Sequence, residues 1–528
     1  MLHLLFDSAP VIVFCYIFKN AYLRTLLLKN QTIIYFKHKM STETVKPAAA
    51  FPVKKLVMLL LAIAVFLFFW FVPRSFFGLT ANGTPLLSII QQRTVAIFAL
   101  AALMWMFEIL PTWATSVTII VVLLFTISDS CPLFLRNTGT DPADMGTFVS
   151  YKALLAAFAD PTIMLFLGGF LLAIAATKVG LDVQLARVLL KPFGTKPKFV
   201  LLGFLMVIGI FSMFMSNTAT AAMMLTFLAP VLRTLPASER GQAGLALAIP
   251  IAANLGGIGT PIGTPPNAIA LGYLNETMHQ NIGFGEWMII MVPYVIVMLL
   301  FAWFLLLKLF PFSSDKIELK IESTRKPDIK TYIVWVTFAV TILMWVLDKY
   351  TGVNANVVAM IPVGVFCATG VITKEDLKNV EWSVLWMVAG GFALGIALNK
   401  TGLAENLVQS IPFASFKPLV ILILSGLLGY AMSNFISHSA AASLLVPILS
   451  AVGVGMGDML APIGGVKALL VGVALSTSVA MLFPISTPPN AIAHSTGLIK
   501  VNDMTKVGAI IGAVGLVLGY AILIFIGF

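Results

Sequence analysis

Apolar runs of about 17–25 residues recur along this chain, and each is long enough to cross a hydrocarbon core of about 30 Å as a helix. They fall at 55–76, 94–110, 112–128, 162–178, 243–275, 287–310, 331–347, 354–372, 384–400, 465–496 and 507–527. Two further stretches, 199–232 and 419–449, are apolar but interrupted near their middles by polar residues. Each reads as a re-entrant hairpin of two half-crossings. The pattern predicts an all-α polytopic membrane protein with about 11 transmembrane helices and two hairpins.

The halves of the chain repeat at a nearly constant offset of about 221–223 residues. GGFLLAIA at 168–175 answers GGFALGIA at 390–397, and KVGL at 178–181 answers KTGL at 400–403. Ser212 and Ser216 answer Ser433 and Ser437, and TPPNAIA at 264–270 recurs unchanged at 487–493. An odd number of full crossings separates corresponding elements, so the two copies face opposite sides of the membrane. Small-residue runs such as GGFLLAIA commonly serve helix packing alone. The TPPN segments carry more information, because two consecutive prolines remove two backbone donors and free carbonyls that lipid cannot satisfy. An inverted repeat with paired broken helices points to a secondary transporter whose site lies near the bilayer midplane.

Composition agrees and excludes a soluble enzyme. Of 528 residues, 59% are hydrophobic and 10% charged, too few charges to coat a soluble protein of this size. The excess of 33 Lys and Arg over 22 Asp and Glu sits in short loops, which fits membrane orientation better than nucleic-acid binding. Loops 182–198 and 308–330 are basic and therefore cytoplasmic, whereas 276–286 holds Glu276 and Glu286 without Lys or Arg and is external. Threading the spans through these anchors puts the N-terminus inside and the C-terminus outside, with the first hairpin entering from the cytoplasm and the second from outside. Residues 1–39 break short apolar bursts with Lys and Arg, so either Met40 is the start or this segment is a membrane-surface extension. Cys15, Cys131 and Cys367 are too scattered for a disulfide framework or a metal site.

The polar residues at the hairpin tips and helix breaks carry the chemistry. The first half offers Ser212, Ser216, Asn217 and Thr218 with the break NLGGIGTPIGTPPNAIA over 254–270. The second offers Ser433, Ser437, His438 and Ser439 with FPISTPPNAIA over 483–493. Hydroxyls, amides and unwound carbonyls are the hard neutral ligands that sodium prefers. The helix after each tip also aims free N–H groups and a positive dipole end at the cavity. Neither tip nor break contains Lys or Arg, so an anionic substrate must be neutralised by dipoles and bound cations. Pairing the repeats sets His438 opposite Asn217 and Ser439 opposite Thr218, so the site is not chemically symmetric.

These tips, the GTPPN breaks and the repeat layout resemble the divalent-anion/sodium symporter family from about residue 55 to the end; WMFEILPTWATS at 105–116 is a weaker likeness. The resemblance implies a homodimer in the plasma membrane, of bacterial inner-membrane type, working by an elevator movement. Scaffold helices would occupy 55–198 and, with a linker, 311–418; the transport domain would be 199–310 and 419–528, after an N-terminal extension at 1–54. One sodium site would use Ser212, Ser216, Asn217 and the carbonyl of Gly263; the other would use Ser433, Ser437, His438 and the carbonyls of Ile436 and Ser486. Substrate would meet Ser216, Asn217, Thr218 and Thr264 from one side, and Ser437, His438, Ser439, Thr487 and Pro488 from the other. The implied activity is import of a small dicarboxylate (succinate, fumarate or malate) with sodium. Exchange, citrate or sulfate are the family's alternatives, and no organic cofactor is implied. His438 stands where the family usually has Asn. A neutral imidazole can donate to a carboxylate or lend a lone pair to sodium, a protonated one would replace a cation, and a third role is packing alone.

Other signals are weaker. Gly455-Met-Gly457-Asp458 matches an intramembrane aspartyl protease pattern, but no facing span supplies the second carboxylate. No Walker-type motif appears, and a channel would need a continuous polar path. Asp160-Pro161 reads as a helix start, Glu108 as a structural carboxylate near a helix end, and Asp348-Lys349 as an interfacial pair.

Overall fold

The computed structural model describes residues 53–80, 83–136, 141–236, 239–317, 327–410 and 417–526. Almost all of the expected extension at 1–54, Cys15 included, and the charges at 318–326 lie outside the described residues. Among those described, no strand forms, and nine helices are long and apolar enough to cross a membrane.

The first half runs through α1 (Val53–Phe71), α2 (Ile89–Met106), α3 (Thr112–Thr126), α4 (Pro161–Val179) and α5 (Leu181–Leu190). Hairpin 1 follows as α6 (Pro197–Phe214) and α7 (Asn217–Thr234), then the broken helix as α8 (Gly241–Gly257) and α9 (Pro265–Gly272), then α10 (Phe284–Leu309). The second half repeats the plan. It comprises α11 (Ile329–Val346), α12 (Met360–Ala368), α13 (Trp382–Lys400) and α14 (Leu403–Ser410). Hairpin 2 is α15 (Pro418–Ser433) and α16 (His438–Met456), the second broken helix is α17 (Gly465–Ser478) and α18 (Pro488–His494), and α19 (Val501–Phe525) ends the chain.

Local chemistry explains the boundaries. Ser88 opens α2 with a capping box to Gln91, and Asp328 opens α11 with one to Thr331. Both hairpins start with proline at the first helical position, Pro197 and Pro418, where the missing N–H costs nothing. Each hairpin arm is 16 to 19 residues, about 24–28 Å, longer than the half-crossing its apolar run suggests. Asp348 does not pair with Lys349 across an interface as expected. Its carboxylate accepts from the Phe284 and Gly285 N–H groups at 2.5 and 3.4 Å and so caps α10.

From Val57 onward the chain is one compact unit. In it α6, α7, α8 and α10 pack together, as do α15, α16, α17 and α19. The short helix after each break crosses to the other half: α9 packs on α16 and α17, and α18 packs on α7 and α8. Beside this body, α3 packs on α13 and α4 packs on α11 and α12. The GGF glycines make these approaches. A Cβ on Gly168 would lie 2.2 Å from the Ala359 carbonyl oxygen, and one on Gly390 would lie 2.4 Å from Ser116 Cβ.

Replacing Gly168 by alanine should therefore force backbone apart, at the roughly 1–3 kcal/mol typical of overpacking. Gly364, where an added Cβ meets nothing within 4 Å, is the control. In detergent, G168A should melt at a clearly lower temperature than G364A, and equal midpoints would refute the close-packing account.

Candidate functional site

The hairpin tips meet the helix breaks from opposite sides. At tip 1, Ser216 is the N-cap of α7 and its hydroxyl oxygen accepts from Ala219 N at 3.3 Å; at tip 2, Ser437 caps α16 and accepts from Ala440 N at 3.3 Å. Ser212 donates to the Ala253 carbonyl at 2.7 Å, and Ser433 donates to the Thr477 carbonyl at 2.8 Å. Each outer serine thus ties its hairpin to the first part of a broken helix.

Each break is stapled by the asparagine of its TPPN motif. The Asn267 amide donates to the carbonyls of Gly257, Ile258 and Thr260 at 3.0, 3.2 and 2.9 Å. The Asn490 amide does the same for Met481 and Phe483 at 3.0 and 2.9 Å. Here carbonyls left over where each helix unwinds find the donors that lipid cannot provide.

The two tips enclose a cavity of about 180 Å³. Ser216, Asn217, Thr218, Gly263 and Thr264 line it from the first half, and Ser437, His438, Ser439, Ser486, Thr487 and Pro488 from the second. Ser212, Ser433 and Ile436 are buried and do not line it. No Lys or Arg lines it, and Glu381 is its one acidic residue.

Around Asn217, three groups converge. The end of its side chain lies 2.7 Å from Ser212 Oγ, 3.0 Å from the Ala253 carbonyl and 3.1 Å from the Gly263 carbonyl. With the amide nitrogen turned inward these are hydrogen bonds. With the amide oxygen turned inward the same atoms form a cluster of four neutral oxygens, the ligand set of a hard monovalent cation. The second half differs, because His438 Nε2 lies 2.6 Å from the Ala480 carbonyl. That contact puts a proton on Nε2, so this nitrogen offers no lone pair to a metal. Ser486, expected to lend its carbonyl, uses its hydroxyl to bond the Asn434 carbonyl at 2.9 Å.

A family model described as citrate transporter matches residues 102–464. The chain belongs to this citrate transporter family. It is 30% identical over 402 residues to the sodium-dependent dicarboxylate transporter SdcS of Staphylococcus saprophyticus, covering 69% of this chain and 76% of that one. It is 32% identical over 434 residues to an uncharacterized transporter of Schizosaccharomyces pombe, covering 79% of this chain but only 48% of that protein's length. Its fold is similar to that of the Alcanivorax borkumensis YdaH transporter, whose structure shows an unusual topology: TM-score 0.51 at 14% identity, over 79% of this chain and 98% of that one. The protein is thus an integral membrane transporter and not an enzyme, akin to the divalent-anion/sodium symporters that its repeats resemble.

Two residues of this transporter's cavity were not singled out from sequence. Glu381 accepts from the Ser216 hydroxyl at 2.5 Å. Its signal was its place directly before the second GGF helix, as Asp160 stands before the first. Asn254 donates to Thr487 Oγ1 at 3.2 Å and to Asn490 Oδ1 at 3.3 Å, linking α8 to the opposite break, while its own Oδ1 is buried without a partner. Beside Glu381 and Ser216 a second cavity of about 370 Å³ opens, lined also by Lys178 and Asp376. Those two form an ion pair at 2.5 Å, and the Lys178 hydrogen bond holds the Asp376 carboxyl down at about 2. Asp376 is therefore ionised throughout the physiological range and carries no proton across it.

Removing a staple leaves two or three buried carbonyls unsatisfied, at about 1–3 kcal/mol each. N267A and N490A should both melt well below the parent in detergent and lose uptake in liposomes. A parent-like midpoint for either variant would show that its break is held by something else.

Proposed function

We propose that the protein is a secondary active importer of a C4 dicarboxylate, such as succinate, fumarate or malate, driven by sodium. The observation that carries this reading is the single cavity between two N-capped hairpin tips, lined by hydroxyls and amides and free of Lys and Arg. An anion there is held by Ser216, Thr218, Ser437, Ser439 and Thr487 and by the N–H groups that open α7 and α16. Its charge is offset by cations rather than by basic side chains. About 180 Å³ is below the roughly 300–1,000 Å³ of drug-sized pockets, which favours a four-carbon anion over citrate.

Sodium is cargo in this reading. Its first site is the oxygen cluster of Asn217, Ser212, Ala253 and Gly263. The sodium-dependent dicarboxylate relatives support the same pairing of ion and substrate. For transport, α6–α10 and α15–α19 move as one unit against a scaffold of α2–α4 and α11–α13, hairpin 1 opening toward the cytoplasm. The scaffold also supplies a homodimer contact in a plasma membrane of bacterial inner-membrane type.

A second reading, dicarboxylate exchange, is favoured by one observation. His438, expected as a ligand of the second site, spends its Nε2 proton on the Ala480 carbonyl and so presents no Nε2 lone pair to an ion. The second site then lacks one of its expected ligands, and the ion requirement falls.

In liposomes with an inward sodium gradient, succinate uptake should exceed uptake in potassium at least tenfold. N217A should lose most of it, with a weakened sodium affinity. H438N, which returns an amide oxygen to the second tip, should make uptake steeper in sodium. Uptake that ignores sodium and needs internal dicarboxylate would overturn symport in favour of exchange.

A further inference from the structure

Helices α4 and α13 pack on each other, each 19 residues and about 28 Å long. They are repeat mates, and cavities lie at both ends. At one end, the 370 Å³ cavity is lined by Phe170, Ile174 and Lys178 of α4 together with Glu381 at the start of α13. At the other, a cavity of about 610 Å³ is lined by the repeat mates Phe392, Ile396 and Lys400 of α13 together with Asp160 at the start of α4. The two helices therefore run antiparallel, and each cavity is lined by the second part of one helix and by the carboxylate that precedes the other, Asp376 also lining the first cavity and Glu276 and Glu405 the second.

The carboxylates are used differently. Asp160 caps its own helix, accepting from Thr162 N at 2.8 Å. Glu381 is likewise the N-cap of its helix, one residue out of the repeat register, but it makes no cap bond and accepts instead from the Ser216 hydroxyl of hairpin 1. Ser437, the repeat mate of Ser216, faces the central cavity, and among the described residues its hydroxyl meets no carboxylate.

We propose that Glu381 and Asp160 are paired docking residues, one for each end of the transport stroke. Glu381 receives Ser216 in the state seen here, and Asp160 leaves its cap to receive Ser437 when the moving unit has slid to the other end of α4 and α13. This rests on the sliding movement proposed above and adds which contacts hold its two end states. Because Ser216 and Ser437 are also the hydroxyls offered to substrate, an arriving carboxylate competes with the docking residue for the same proton donor. Binding then frees the hairpin tip from the scaffold.

Four cysteine pairs test the proposal, in the full chain with its native cysteines replaced and reconstituted in liposomes. Under mild oxidation S216C/E381C and S437C/D160C should each form a disulfide, while the crossed pairs S216C/D160C and S437C/E381C should not. In the S437C/D160C background, E381A should speed cross-linking roughly tenfold, as expected from losing one charge-assisted hydrogen bond, and E381Q, which still accepts from Ser216, should leave the rate near the parent's. Formation of S216C/E381C without S437C/D160C, or an E381A rate equal to the parent's, would overturn the proposal. The sliding movement has its own readout in Y273C/F392C, across the ring contact between the α9 end and α13. Uptake blocked by that cross-link and restored by reductant supports sliding whatever the carboxylates do, whereas uptake that survives it overturns sliding and the docking pair together.

Discussion

Two helices unwind in the middle of this protein, and the carbonyl groups they expose cannot be left to lipid. Each such group costs several kcal/mol in hydrocarbon unless a donor is found. The amides of Asn267 and Asn490 supply those donors, reaching back to carbonyls where the preceding helix ends and the chain unwinds. The outer serines, Ser212 and Ser433, then bond carbonyls in or just before the same breaks and so fix the hairpins to them. Backbone at membrane depth, hairpin position and cavity shape are consequences of one requirement. The short helices beyond the breaks then cross into the opposite half, so neither half of the site is complete alone.

On this symmetric frame the chemistry is unequal. Asn217 sits among three oxygen acceptors, and an amide can face them with either nitrogen or oxygen; in the proposed mechanism that rotation exchanges a hydrogen-bonded tip for an ion-bound one. His438 has no such choice, because its only group directed at the Ala480 carbonyl is an N–H. In the proposed mechanism the fold sets where a cation would sit, and Asn217 and His438, one position per repeat, set how each half treats it. The Asn267 and Asn490 staples involve neither residue.

Much of this was legible in the sequence because it depends on backbone chemistry that repeats. TPPN announces a broken helix, a polar interruption in an apolar run announces a hairpin tip, and the offset between copies pairs the elements. Of the tip residues named from the sequence, Ser216, Asn217, Thr218, Ser437, His438 and Ser439 therefore line one cavity, while Ser212 and Ser433 are buried beside it. What was not legible depends on partners distant in the chain. Glu381 lies 165 residues from Ser216, and only the packed structure brings it to the first tip. Asn254 was passed over because its partners belong to the other half. Asp348 was misread as an ion pair since the N–H groups it caps begin a helix more than sixty residues earlier. The hairpin arms exceeded their apolar runs because proline starts and N-caps, not hydropathy, decide where these helices begin.

The electrostatics of the cavity tie these threads together. It holds one carboxylate and no basic side chain, so a dicarboxylate brings two negative charges toward a third. Like charges about 4 Å apart repel by roughly 4 kcal/mol at the effective dielectric of a protein surface, several-fold more than one ordinary hydrogen bond contributes. Helix N-termini offset part of this, each with about half a charge shared over its first turn. The remainder has two remedies: bring a cation into the oxygen cluster at Asn217, or move the Glu381 carboxylate away from the substrate. In the proposed mechanism a moving unit that leaves Glu381 behind on the scaffold accomplishes the second, and the first supplies the coupling. With the site empty, Ser216 keeps its charge-assisted bond, which slows an unloaded move without forbidding the return that net import requires. Loading and movement are thereby linked through a single hydroxyl that cannot serve substrate and scaffold at once.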